Sequence, residues 1–171
     1  MNTLKLTFII VILAVIGCNR KDNNTPKYVP TDVLVKIKSE YSIDKAFDFI
    51  NSFSLSVENI HSLTYTSDLP KDSLQYILDF VNGKPYASAT GYVSTTGDTI
   101  TIFPKLINIK NKSYQNDWLE TVTTLKLHKK SGCIIYFHVP AGQEPEWKEK
   151  FEQYECVEWA ELNYLLEISL W

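Results

Sequence analysis

The sequence predicts an α+β domain built from two strand–helix–strand units that share an antiparallel sheet. Two observations carry this expectation. Residues 32–66 and 133–164 each pass from a β-branched run through a helical stripe into a second alternating segment, with short connections. The chain between them, about residues 68–130, has helix and hairpin signals of its own and reads as an insertion. The single domain expected from these elements spans residues 31–171, a length able to bury roughly 68–70% of its unfolded surface.

In the first unit, Val33, Val35 and Ile37 alternate with Leu34, Lys36 and Lys38, the period of a half-buried strand. Ser42 stands where an N-cap belongs. Ile43, Ala46, Phe47 and Ile50 follow at the spacing of an amphipathic helix. Residues 59–66 return to strand character.

In the insertion, Asp68-Leu69-Pro70 opens a helix with Leu74, Ile77, Leu78 and Val81 on one face and Gly83 at its C-terminal stop. Residues 90–95 and 98–103 flank Thr96-Gly97 as a hairpin, and Pro104 is expected to end the second strand. Residues 105–115 fit a loop with room for a short strand. Asn116 or Asp117 then caps a helix that turns Trp118, Leu119, Val122 and Leu125 inward, against the weak propensity of three threonines.

The second unit follows a turn at residues 129–132. Residues 133–139 (CIIYFHV) are rich enough in β-branched and aromatic side chains for a central strand. Pro145 suits the first turn of a helix whose stripe is Trp147, Phe151 and Tyr154. Residues 157–164 (VEWAELNY) alternate again, and 165–171 form an apolar tail. Four strands and two helices in this order make the split pattern called ferredoxin-like, with the helices on one face of the sheet and a helix-plus-hairpin insertion between the units. The alternative is an α+β fold in which every strand joins one larger sheet.

The opening residues concern address rather than fold. Lys5 precedes an apolar run from Phe8 to Ile16, the layout of a secretory signal. The run is too short for a comfortable membrane span of about twenty residues. Val15-Ile16-Gly17-Cys18 closes it and resembles the lipobox of bacterial lipoproteins. The resemblance implies removal of residues 1–17, a diacylglyceryl group on Cys18 and acylation of the new amino terminus. Each buried methylene contributes about 0.8 kcal/mol, and two or more chains anchor stably. Residues 18–30, polar with two prolines, read as a flexible tether. Asn19 stands where some groups place the Asp of inner-membrane retention, so the same resemblance points to the outer membrane.

Val157 to Tyr164 (VEWAELNY) also resembles the final strand of subtilisin-type propeptides and of the peptidase inhibitors built like them. That resemblance implies the ferredoxin-like fold and a module that chaperones or inhibits a protease through its C-terminal tail. Glu158, Glu161, Asn163, Tyr164 and Trp171 become candidate partner-binding residues. The insertion and the anchor depart from the short propeptides, so a protein or cell-envelope partner is expected more broadly.

Chemistry is harder to find. Seventeen basic against twenty acidic residues leave no electrostatic footprint for nucleic acid. His61, His128 and His138 lack HxxxH or HExxH spacing, and no set of three or four metal ligands stands out. Neither a G-x-S-x-G elbow nor a phosphate-cradling glycine loop is present. A non-enzymatic protein without metal or cofactor is expected. Cys133 and Cys156 remain as a pair that an oxidising compartment can close into a disulfide, contributing about 3 kcal/mol, or as two buried free thiols. Glu146–Lys150 reads as a solvated i,i+4 pair, and Trp118 and Trp147 as core anchors. Trp159 shares a face with Val157 and Glu161 unless a bulge turns it to the other side.

Overall fold

The computed structural model describes residues 28–95 and 97–165. The lipobox, Cys18, most of the expected tether and Trp171 lie outside the described residues. Four helices pack on one eight-stranded antiparallel sheet. The strands are β1 (Tyr28–Ile37), β2 (Ser56–His61), β3 (Tyr65–Ser67), β4 (Ala87–Val93), β5 (Ile100–Ile107), β6 (Leu127–Lys129), β7 (Cys133–His138) and β8 (Val157–Tyr164). The helices are α1 (Ile43–Asn51), α2 (Leu74–Asn82), α3 (Lys112–Thr124) and α4 (Glu144–Glu152).

The sheet order is β6-β3-β5-β2-β7-β1-β8, with β4 on the other side of β5. β3 prolongs β2 beyond a bend at residues 62–64, and β6 leads into β7 opposite that bend, where Lys130 N–H donates to the Thr64 carbonyl at 2.8 Å. The outer units, β1-α1-β2 and β7-α4-β8, place their strands in the order β2-β7-β1-β8. The inserted units, β3-α2-β4 and β5-α3-β6, place theirs in the order β4-β5-β3-β6. Both read second, third, first, fourth. The insertion is therefore a second interlocked pair of strand–helix–strand units nested in the first, more than the helix and hairpin expected. Every strand joins one sheet, and the outer four still keep the split order.

Alternation along each strand builds the core. Val33, Val35 and Ile37 face the helices beside Cys133, Ile135 and Phe137 of β7, all buried. Ile100, Ile102 and Leu106 do the same on β5. α1 joins α4 through rings: Phe49 lies 5.8 Å and Phe53, just past the end of α1, 5.1 Å from Phe151, which stacks on Phe137 at 4.7 Å. Lys110 supplies the C-terminal cap of α1, its Nζ donating to the carbonyls of Ile50 (3.1 Å) and Phe53 (2.6 Å). Asn51 and Gln115 exchange side-chain amide bonds at 2.9 and 3.1 Å and tie α3 to α1.

Several boundaries differ from the sequence expectation, each for a local reason. α3 is capped by Asn111, whose side chain accepts Ser113 N–H at 2.9 Å, so it begins before Asn116. Its threonines do not break it: Thr121 and Thr123 return their hydroxyls to the carbonyls of Asp117 (2.7 Å) and Leu119 (3.1 Å). Burial of Trp118 and Leu125 outweighs their propensity, a large aromatic in a core being worth about 3–5 kcal/mol.

Pro104 does not end its strand. It sits inside β5 in the stretch facing the bend, where no ladder pairing to β2 or β3 exists and no N–H is required. Opposite it, the outward edge of β4 is covered by Asn82, whose amide bonds both the N–H (2.7 Å) and the carbonyl (3.1 Å) of Ala89.

β1 likewise begins at Tyr28, inside the expected tether. Its pairing with β8 shifts between Tyr28 and Val33, and Thr31 adopts φ +74°. Glu144 at the start of α4 accepts the Thr31 N–H at 2.7 Å, while the Thr31 carbonyl accepts Val139 N–H at 2.8 Å.

Candidate interaction surface

All four helices cover the same side of the sheet, so among the described residues the side formed by alternate residues of β8, β1, β7 and β2 is left open. Antiparallel register sets its pattern. Glu161, Leu34, Tyr136 and Asn59 form one row, and Trp159, Lys36, Ile134 and His61 the next. Two bulges determine who takes part. β8 advances two residues, Val157 to Trp159, against Ile37 and Lys36, so Glu158 is the extra residue. Val157 turns to the core and Trp159 to the open side, beside Glu161. On β2 the same device at Glu58 sends Val57 to the core and sets Asn59, itself 3% exposed, opposite Tyr136.

A polar cluster closes one end of this face. His138 Nδ1 lies 3.0 Å from Asp32 Oδ1, and its Nε2 lies 3.7 Å from Glu58 Oε2. Asp32 is only 6% exposed. Its second oxygen accepts from Asn163 Nδ2 at 3.0 Å, and the same amide contacts the Tyr136 hydroxyl. Burial, then the charges of Asp32 and Glu58, push the Tyr136 phenol above its ordinary value, so it remains a protonated donor at neutral pH. Burial, then Lys105 and Lys36, lower the His61 imidazole, which stays neutral and shares Nδ1 with Ser62 Oγ at 2.9 Å. Both nitrogens of His138 face carboxylates, so neither is directed at a hydroxyl or thiol to be activated. The arrangement suits holding a partner's polar groups beside an aromatic platform. Among the described residues, no three His, Cys, Asp or Glu side chains converge as metal ligands would.

The expected binding residues separate accordingly. Glu161 and Asn163 point to the open face. Glu158 is exposed at the bulge, and exposed Tyr164 packs edge-on to Tyr28 with ring centroids 6.4 Å apart. Trp118 is fully buried. Trp147 is a partly buried platform on which Lys150 Nζ rests at 4.2 Å, so Lys150 leaves the expected pairing with Glu146, and the helix pair formed is Lys148–Glu152 at 2.7 Å. Cys133 and Cys156 are free thiols on opposite sides of β1, next to Ile37 and Lys38 respectively. Two strand spacings put such positions about 9–10 Å apart, beyond the reach of a disulfide in this geometry.

Sequence reasoning missed Asp32, Glu58 and Tyr136, and it placed Glu144 only among the acidic residues of the last helix. The first three meet only through register across three strands. Pro145 and an acidic first turn are the local signals at Glu144, and they say nothing of its burial. No known family matches this chain, and no curated protein is significantly similar to it. Among the described residues, no helix is long and apolar enough to cross a membrane.

Proposed function

We propose that this protein is a bacterial lipoprotein held on the outer membrane through lipid on Cys18, whose domain binds a protein of the cell envelope through the open face of β8, β1, β7 and β2. One observation carries the binding role. A solvated sheet face is ordinarily polar, yet this one sets Trp159, Tyr136, Leu34 and Ile134 side by side next to a pre-bonded Asp32–His138–Asn163 cluster. Aromatic anchors with fixed polar neighbours are what protein interfaces use. The lipobox supports the address. Ten residues from Cys18 to Lys27 give the domain a reach of at most about 35 Å from the anchor.

The test places a photo-crosslinking side chain at Leu34 in living cells, with Tyr76 on α2 as the control. A discrete adduct from Leu34 alone supports the reading, and matched labelling at both positions refutes it. Cys18→Ser should move the protein from membranes to the soluble fraction. Unchanged membrane association would remove the anchor.

A second reading is a protease inhibitor or chaperone resembling subtilisin propeptides. The outer strand order, β2-β7-β1-β8, favours it because it is that of a ferredoxin-like core, and β8 carries the VEWAELNY motif. Subtilisin assayed with the protein, with and without residues 165–171, separates the readings. No inhibition at micromolar concentration rejects this one.

A further inference from the structure

β6 continues the line of β7, but β1, the neighbour of β7, ends at Ile37 opposite Cys133 and turns away into α1. A slot about 10 Å long is left beside the three residues of β6. Lys130 N–H bonds the Thr64 carbonyl and Asp68 N–H bonds the Lys126 carbonyl, so residues 126, 128 and 130 turn their backbone groups to β3. Antiparallel alternation then directs the N–H and carbonyl groups of Leu127 and Lys129 into the slot. The slot opens on a groove of about 600 Å³ whose walls include Ile43 of α1 and Leu119 and Val122 of α3.

We propose that this groove binds an extended acidic peptide segment, which adds as a strand to the free edge of β6. Backbone pairing with Leu127 and Lys129 gives the register, and apolar side chains at alternate positions meet Leu119, Val122 and Leu127. Charge selects the sign of the guest. Lys126 and Lys130 are exposed without an acidic partner among the described residues, whereas His128 is taken by Asp68 at 2.6 Å and the Lys129 ammonium by the carbonyls of Ser39 and Tyr41. Asp44 is the acidic side chain lining the groove. The site lies at the opposite end of β1 from the tether and does not depend on docking at the open face.

The test uses the full chain and two end-blocked, fluorescein-labelled hexapeptides, one alternating valine with glutamate and the other valine with lysine. Fluorescence anisotropy should show saturable binding of the acidic peptide and at least about tenfold weaker binding of the basic one. Lys130→Glu, an exposed change that leaves the core untouched, should weaken the acidic peptide about fivefold and strengthen the basic one. Hydrogen exchange should slow over residues 126–130 on binding. No saturable signal, binding indifferent to Lys130→Glu, or protection confined to β4 or β8 overturns the proposal. In that event the lysines only guard an exposed strand edge.

Discussion

Glu144 offers the sharpest test of how this fold is held. The residue is 1% exposed, its Oε1 takes the Thr31 N–H at 2.7 Å, and its Oε2 is buried with no aligned partner among the described residues. The backbone bond from Thr31 is the leading reason its acid lies below the ordinary carboxylate range, ahead of the opposing effect of burial. A hydrogen bond to a charged group is worth about 1.5–3 kcal/mol, and the unpartnered oxygen keeps the net gain toward the lower half of that range. Glu144→Ala should therefore cost about 2 kcal/mol, or roughly 5–8 °C in Tm for a domain of this size. Glu144→Gln keeps an acceptor and should cost about half as much.

The pH dependence has a definite sign. A depressed folded pKa means that the unfolded chain binds more protons between the two values. Glu144 therefore contributes fully above its ordinary pKa of 4.5 and progressively less as pH falls through the folded value. Thermal unfolding followed by circular dichroism on going from pH 7 into acid should show the Glu144→Gln and parent curves converging as pH falls below 4.5 and through the folded value. If Glu144→Ala melts within about 1 °C of the parent at pH 7, or if the curves stay parallel in acid, the carboxylate does not hold the bend in β1.

Three further outcomes follow from particular contacts. Thr31 is a β-branched residue at φ +74°, where L side chains cost roughly 1–2 kcal/mol, so Thr31→Gly should raise the unfolding free energy from urea titration by up to about 1 kcal/mol, and a loss would contradict the strain. At Gly132 an added Cβ would stand 2.1 Å from the Ile37 carbonyl oxygen, so Gly132→Ala should push β1 from β7 and lower Tm by at least about 5 °C, and an unchanged melt would count against so close an approach. Tyr65 and Tyr86 are equally buried, but the Tyr86 hydroxyl bonds Asp117 while that of Tyr65 has no aligned partner. Urea unfolding should find Tyr86→Phe destabilised by about 1 kcal/mol and Tyr65→Phe unchanged or more stable, and the reverse order would refute the assignment of partners.

Much of the secondary structure is written locally. The stripe of Ile43, Ala46, Phe47 and Ile50 specifies α1 because the helical period puts those side chains on one face and burial rewards it. The runs 33–37 and 133–139 specify central strands for the same reason at period two. Boundaries were less legible where a side chain from elsewhere completes the backbone, as Lys110 does for α1 and Glu144 for β1. Pro104 misleads in the same way. Its missing donor matters only if a neighbour asks for it, and the bend between β2 and β3 removes that neighbour.

The sequence by itself determined the α+β class, the two outer strand–helix–strand units and the core identity of Trp118, because each rests on periodicity or on the bulk of one side chain. The tertiary structure alone decided which residues meet. Asp32, Glu58, Tyr136, His138 and Asn163 lie on four different strands, and one residue of register on any of them would send its side chain to the other face. The bulges at Glu58 and Glu158 set that register, and a bulge depends on both strands of a pair. The nesting of the inserted units has the same origin. Strand order is fixed by pairing between segments far apart in the chain, and no local pattern encodes it.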